Sequence, residues 1–472
     1  MPIPVFVQGN YHKSSNPNGP TGNAFKIPLI DPSLSGNCLV LDVAYPHGST
    51  VSSITDDQSN SWSTTPDVSV DAGVGNLVSA IFVLKNAAAN TRMITFNFSA
   101  AVASFKAHIS EYYNVDQTTP TSGTKAGSTT QTTGGTISTG AFTPSTDNTL
   151  IHHFSQCNDQ SLDSMGFPIT PVTGVTPGTG FTLMQGDRYL GTYTQDCPQT
   201  TAASINPGIA LTGASGRPWN SLAVALRGAS AGTAPSPDLP RIRAIWHLMK
   251  NDLLTSTPWD APTVGNTLLV GTTYGRADTN LTAVSDTASN TFKDKTVNAV
   301  ACQMFAAAPA TPALSNVVTI TTTAGALTFE IWDILNGGTY DKATNGTGTQ
   351  SGTSDIPVLV NHTVLNPGGV VVMVNQFGTG PASGAIAGSD GLYDSVWFTG
   401  QDDTSSDFDT GDCIMHVYPT IVGDLLTFGT SMANGTGGTG WDATAFEFAP
   451  PVRRLLPPKS SRPAPFKPGL AR

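Results

Sequence analysis

Hydrophobic residues come in short runs, rich in Val, Ile, Phe and Thr, that stop at clusters of Gly, Asn, Asp and Ser. Met93-Ile94-Thr95-Phe96-Asn97-Phe98 and Val317-Val318-Thr319-Ile320-Thr321 are two such runs, and their length and composition read as strands of half-buried sheets. One segment, Ile242-Arg243-Ala244-Ile245-Trp246-His247-Leu248-Met249-Lys250, is dense enough in apolar residues to be a helix. Its place in the chain matches Val5-Phe6-Val7-Gln8-Gly9, however, so a strand is expected there too.

That correspondence is part of a longer one. Gly36-Asn37-Cys38-Leu39-Val40-Leu41 matches Gly265-Asn266-Thr267-Leu268-Leu269-Val270, and Ile54-Thr55-Asp56 with Asn60-Ser61-Trp62 matches Val284-Ser285-Asp286 with Asn290-Thr291-Phe292. Further on, Ile109-Ser110-Glu111-Tyr112 falls against Ile331-Trp332-Asp333-Ile334, and Leu150-Ile151-His152-His153-Phe154 against Val370-Val371-Val372-Met373-Val374. A strand led by Trp219 falls against one led by Trp441. A spacing of about 220–230 residues far exceeds a solenoid or propeller period, so each copy is expected to be a domain with its own core. The domains are placed at 1–230 and 241–449. Residues 231–240, rich in proline and small side chains, form a linker, and 450–472 a tail.

Composition strengthens the β reading. The chain of 472 residues has 48 Gly and 34 Pro, and only 12% of it is charged, too little for the salt-laced faces of long surface helices. The expected fold is all-β: two tandem antiparallel β-sandwiches, jelly-roll or immunoglobulin-like, from an internal duplication, followed by an extended tail.

The repeated Asp-x-x-x-Asn-x-aromatic element is expected to be a turn. Asp56 and Asn60, like Asp286 and Asn290, bond nearby backbone, and Trp62 and Phe292 re-enter the core, which would make a hairpin. A ligand loop is the alternative. Glu111 and Asp333 are read as strand-end residues rather than catalytic acids. No nucleophile elbow, phosphate loop, zinc-protease helix or Cys-x-x-Cys pair is present, so no catalytic residue, cofactor or metal ligand is assigned and the chain is not expected to be an enzyme. His152 and His153 are neighbours on a strand, one expected toward the core and one toward solvent, which keeps them from sharing a metal. The acidic stretch Asp402 to Asp412 has the hard oxygens that calcium uses, but its glycine and acids are not spaced as an EF-hand, and a solvated turn is the reading taken. Cys38 and Cys302 are expected as buried thiols. Cys157 and Cys197 sit in loop-like contexts, and whether they pair is left open.

The amino end lacks the basic and apolar regions of an export signal, and no apolar run is long enough to span a bilayer, so neither a signal peptide nor a membrane segment is expected. The far end differs in kind. Residues 450–472 hold six Lys or Arg and no acid, which leaves −17 of the chain's net −11 on the other 449 residues. A basic, proline-rich tail cannot pack into a sandwich and is expected to extend outward. Leu455, Leu456, Phe466 and Leu470 are its apolar anchors, and Arg453, Arg454, Lys459, Arg462, Lys467 and Arg472 its charges. The expected partner is an acidic neighbouring subunit, either another copy of this chain or another component of the same assembly. Nucleic acid is not expected, because the acidic body repels phosphate, and neither is a membrane.

The duplicated Gly-Asn-x-Leu and Asp-x-x-x-Asn-x-aromatic pattern, with its Thr-rich strand and closing Trp strand, resembles β-sandwich modules of phage virion and bacterial surface proteins. The resemblance covers both copies but not the tail. It implies a structural or adhesive role and confers no site residue. The leading expectation is a structural subunit of a phage particle or extracellular filament, such as a capsid decoration, fibre or tail component, located in the virion or an extracellular assembly. The alternative is an adhesive protein that binds a surface glycan through aromatics such as Tyr112, Tyr113, Trp259 or Trp397. A polysaccharide depolymerase comes third, since it would need convergent acids that the sequence does not announce.

Overall fold

The computed structural model describes residues 2–14, 22–29, 32–73, 77–102, 105–129, 136–157, 174–187, 191–212 and 218–229. Beyond them it describes 241–249, 267–273, 281–294, 302–307, 318–322, 328–335, 340–349, 356–366, 370–378, 386–388, 394–396, 410–417, 425–432 and 440–449. Every regular element among these residues is a β-strand, including Arg241–Met249, where the apolar density alone allows a helix.

The strands fall into four successive sets. The first is β1 (Val5–Ser14), β2 (Gly22–Pro28), β3 (Cys38–Pro46), β4 (Val51–Asp56), β5 (Val68–Asp71), β6 (Leu77–Leu84), β7 (Met93–Val102) and β8 (Phe105–Tyr113). It makes a five-stranded order β1-β8-β3-β6-β5 and a three-stranded sheet β2-β7-β4. The second is β9 (Thr121–Thr129), β10 (Thr136–Ser138), β11 (Thr149–Cys157), β12 (Gly174–Pro177), β13 (Thr182–Asp187), β14 (Thr192–Gln199), β15 (Gly208–Thr212) and β16 (Trp219–Arg227). Its orders are β9-β16-β11-β14-β13 and β10-β15-β12, the same arrangement strand for strand.

The third set is β17 (Arg241–Met249), β18 (Thr267–Thr273), β19 (Leu281–Asp286), β20 (Lys293–Asp294), β21 (Cys302–Ala307), β22 (Val318–Thr322) and β23 (Thr328–Leu335). It is ordered β17-β23-β18-β21-β20 and β19-β22, with no described counterpart of strand two. The fourth is β24 (Tyr340–Thr349), β25 (Ile356–Thr363), β26 (Val370–Gly378), β27 (Ile386–Gly388), β28 (Asp394–Val396), β29 (Thr410–Val417), β30 (Leu425–Met432) and β31 (Gly440–Phe448). Its orders are β24-β31-β26-β29-β28 and β25-β30-β27. The strand order thus recurs twice within each stretch that the sequence predicts to be one sandwich, a finer repeat than the expected two.

Small irregularities recur with the order. Strand one of every set carries a bulge against strand eight, between Phe6 and Gln8, opposite Val224 and Leu226, between Ala244 and Trp246, and between Tyr340 and Lys342. The β4–β7 and β19–β22 pairs share another, at Val51/Ser53 and Leu281/Ala283. A bulge bends and twists its strand locally, so these recurrences reflect a shared path of the chain as well as a shared order.

In the first 229 residues the sheets stack in four layers. The β2-β7-β4 sheet buries Phe25, Ile27, Ile54, Ile94, Phe96 and Phe98 against Leu39, Leu41, Phe82 and Ile109. The other face of that five-stranded sheet packs Val40, Ile81 and Tyr112 against Leu150, Phe154, Leu222, Val224 and Leu226 of the second set. Beyond it, Ile151, Ala223 and Ala225 face inward with Phe181 and Cys197. The two middle layers are covered on both faces, so β3, β8, β11 and β16 are buried almost continuously rather than at every second residue. The first and third sets meet where β1 runs beside β17, with Gly9 opposite Arg243. This is the one parallel pair among the described strands, and it makes a sheet of ten.

Candidate functional site

The most chemically loaded region of the described structure lies between the two middle layers. On β11, Leu150 and Phe154 point at the first set and Ile151 at the outer sheet, so alternation sends His152 one way and His153 the other. His152 meets Asp42 of β3 through Nε2 at 2.9 Å and Asp196 of β14 through Nδ1 at 2.9 Å. The Tyr112 hydroxyl donates to Asp196 at 3.0 Å and lies 2.8 Å from His152 Nδ1. Asp42, Tyr112 and His152 are fully buried, and Asp196 nearly so.

A ring nitrogen on each side facing a carboxylate is the arrangement of an imidazolium donating two hydrogen bonds. Burial by itself pulls the His152 pKa down, but Asp42 and Asp196 outweigh it and hold the pKa at about 10. Burial also raises Asp42, against the pull of His152. Tyr112 is pushed well up by burial and by the two carboxylates, so it stays a neutral donor. With both nitrogens engaged, His152 has no lone pair for a metal or a substrate proton. It clamps two sheets together.

His153, on the opposite face, imitates a catalytic dyad. Its Nε2 lies 2.7 Å from Ser221 Oγ on β16, and its Nδ1 2.7 Å from Gln195 Nε2 on β14. The Gln195 amide is oriented by its other partners, because Gly178 N–H donates to its Oε1 at 3.0 Å and its Nε2 donates to the Gly208 carbonyl at 2.8 Å. Nδ1 of His153 must therefore accept, and Nε2 carries the hydrogen and donates it to Ser221. That is the wrong tautomer for a base that takes the serine proton. Burial, helped by the charge on His152, lowers the His153 pKa to about 3, so the ring stays neutral. Phe181 packs edge-on against it.

Two buried glutamates repeat one task. Glu111 on β8 accepts from Leu34 N at 2.8 Å, Asn37 Nδ2 at 2.7 Å and Gln8 Nε2 at 2.5 Å. Glu447 on β31 accepts from Leu365 N at 2.9 Å and Asn366 N at 2.5 Å, and lies 2.8 Å from His362 Nε2. Each holds the connection between strands two and three of its set. In the ladder, Glu111 stands opposite Leu39, Asp333 opposite Leu268 and Glu447 opposite Val371, whereas the second set has Ala225 opposite Ile151. Three of the four sets thus carry an acid at one register position. Glu111 lies within its strand and is buried, so it is not the corner residue that the sequence suggests, and its donors explain how the charge is tolerated.

The Asp56 element is a turn closed by side chains. Asp56 accepts from Gln58 N and Asn60 N, both at 3.0 Å, from Asn60 Nδ2 at 2.9 Å and from Trp62 Nε1 at 2.7 Å. Asp286 repeats the bonds to Asn290 N and Nδ2 at 2.8 and 2.7 Å. The left-handed residues are Ser59 and Ser289, with φ of 58° and 59°, not the Asp or Asn. The element is not a hairpin, since β4 and β5 belong to different sheets. It is the crossing from one sheet to the other.

Other sequence expectations meet the structure unevenly. His152 and His153 are both buried, because β11 lies in a layer with no wet face. Cys157 and Cys197 are buried free thiols in strands rather than loops. Ile151 is the residue opposite Cys197, which puts Cys157 about 20 Å along the strands, beyond the reach of a disulfide. Cys38 is a buried thiol, as expected. Cys302 lies in β21, with its side chain outside the described residues. Tyr112 is fully buried and presents no face to a sugar. Gly411 and Asp412 belong to β29, opposite Phe377 and Gln376, so the carboxyl end of the acidic stretch is strand rather than turn. Residues 402–409, Trp259, Trp397, the linker 231–240 and every tail residue from Arg453 to Arg472 lie outside the described residues.

Sequence reasoning missed Asp42, Asp196 and Gln195. A signal existed for Asp42, since an aspartate inside Leu39-Val40-Leu41-Asp42-Val43-Ala44 is rare in a buried strand unless it is paired. Comparison with protein-family models, with curated proteins and with solved structures finds no match to this chain.

Proposed function

We propose that the chain is a structural subunit of a viral particle or extracellular filament, such as a phage capsid decoration, fibre or tail component, and that it docks on its neighbours through residues 450–472. The observation that carries the reading is the strand order 1-8-3-6-5 against 2-7-4, repeated with its bulge in successive sets. It is the order of a jelly roll whose fifth strand has moved beside the sixth, and jelly rolls recur in capsid and lectin domains. Two successive doublings of one sandwich account for the four sets, and the later doubling is the one legible in the sequence. The ionisable side chains of the described interior support the reading too. His152, His153, Glu111 and Glu447 are spent on holding sheets and loops, and no helix among the described residues is long and apolar enough to cross a membrane.

The tail supplies the contact. Six basic residues and the anchors Leu455, Leu456, Phe466 and Leu470 complement a body of net charge −17, so another copy of the chain offers both charge and volume to fit it. Light scattering on size-separated full-length protein and on a chain ending at Pro450 tests this. Full-length protein is expected to assemble and the shortened one to be monomeric. Identical behaviour of the two would overturn the docking role.

A further inference from the structure

Strand one is an edge strand in the five-stranded order of every set. In the first and third sets that edge is used, because β1 and β17 lie side by side in parallel. In the second and fourth sets the corresponding strands, β9 and β24, pair among the described strands on one side only, with β16 and β31, and end their sheets as described.

We propose that β9 of one copy pairs in parallel with β24 of a second copy, continuing the two sheets as β1 and β17 do within the chain. Three observations carry this. First, the bulge that often blunts an edge is present on β1 and β17 themselves, so it does not prevent pairing in this fold. Secondly, Thr121-Ser122-Gly123-Thr124-Lys125-Ala126-Gly127-Ser128-Thr129 and Tyr340-Asp341-Lys342-Ala343-Thr344-Asn345-Gly346-Thr347-Gly348-Thr349 are long, free of proline, and small-sided over most of their length. β9 has one charged residue, Lys125, and β24 two, Asp341 and Lys342, a light defence for edges of this length. Thirdly, Thr124, Lys125 and Ser128 are exposed. The start of β9 is already engaged, since Ser145 N–H donates to the Ser122 carbonyl at 2.7 Å, so the open part begins at Thr124.

The partner is a second copy because the chain itself joins sister strand to sister strand. A β9–β24 contact is heterologous, so it closes a ring or grows a fibre. The strand-eight ladders give its register. Ala126 stands opposite Leu222, and Asn345 opposite Thr444, positions that the Trp219 and Trp441 strands align. Within the chain Gly9, opposite Ser110, pairs with Arg243, one residue before Ala244, which stands opposite the aligned Trp332, so Ala126 of one copy should lie beside Thr344 of the next. This inference does not need the tail to dock, and the experiment separates the two.

Full-length Ala126→Cys and Thr344→Cys proteins, mixed under mild oxidation, are expected to give a heterodimer at least tenfold in excess of either homodimer. Sedimentation velocity of the unmodified chain should show species that grow with concentration. Lys125→Pro and Ala126→Pro remove neighbouring N–H groups, and one of the two points away from β16. That variant should keep its melting temperature and lose association tenfold or more. A chain ending at Pro450 that still cross-links places the failure, if any, in the tail reading alone. No selective cross-link, together with unchanged association in a folded proline variant, would overturn the edge pairing.

Discussion

Raising the pH should loosen the contact between the two middle layers, because the His152 imidazolium between Asp42 and Asp196 is held there only while it is charged. An imidazole that titrates near 6.5 in the unfolded chain and at about 10 in the folded one stabilises the fold fully below 6.5 and ceases to do so as the pH rises through 10. The whole linkage contribution is on the order of 5 kcal/mol, and within the window the slope is about 1.4 kcal/mol per pH unit. Asp42, whose folded pKa burial also raises, acts in the same direction, since its protonated form too is favoured by folding. Urea denaturation followed by tryptophan fluorescence should therefore show a loss of about 2–3 kcal/mol between pH 7 and pH 9. Exposed lysines and tyrosines titrate in any variant, so the comparison is with Asp42→Asn. That protein starts less stable, and with one carboxylate removed it holds the His152 proton less firmly, giving a shallower dependence above pH 7. Parallel curves for the two proteins would refute the imidazolium, and with it the clamp.

The acid side should be governed by the neutral histidines. Burial holds His108 and His153 at about 3, so each costs stability as the pH falls below 6.5 and the unfolded chain takes up its proton, at about 1.4 kcal/mol per pH unit for each ring; a stability that rises on acidification from pH 6 to pH 4 would contradict this. Ser221→Ala should cost about 1–3 kcal/mol in a urea melt, by leaving the His153 Nε2–H without an acceptor, and nitrogen-15 spectra of the unaltered chain should show His153 protonated at Nε2, with an Nδ1–H signal counting against the tautomer. Asp56→Ala removes four hydrogen bonds from a half-buried turn and should cost about 3 kcal/mol, read as a fall in the melting transition; a cost below about 0.5 kcal/mol would make the turn incidental.

How much of this was legible in the sequence varies with the range of the interaction. The β class and the Asp56 turn rest on local chemistry, which is written in adjacent residues, whereas the strand at Arg241–Met249 was legible only through its match to Val5–Gly9. The burial of both His152 and His153 was not legible, because alternation reports which face a residue takes and not whether that face is dry. Only the stacking of a second sandwich on the first covers both sides of β11, and that contact brings Asp42 to a residue 110 positions away.

The finer repeat escaped for a related reason. The first and third sets share their text because they keep the same turn and the same acid, Glu111 or Asp333, at the same register. The first and second sets share a path but not the chemistry along it. Where Glu111 collects the backbone of its loop, the second set has Ala225. The second set instead carries two histidines, one bonded to the first set and the other to its own interior. One sandwich has thus been specialised to accept a neighbour on its outer face, with His152 reaching into the other. Such substitutions erase sequence likeness while leaving strand order and bulge untouched, since those depend on backbone path and alternation rather than on any one side chain.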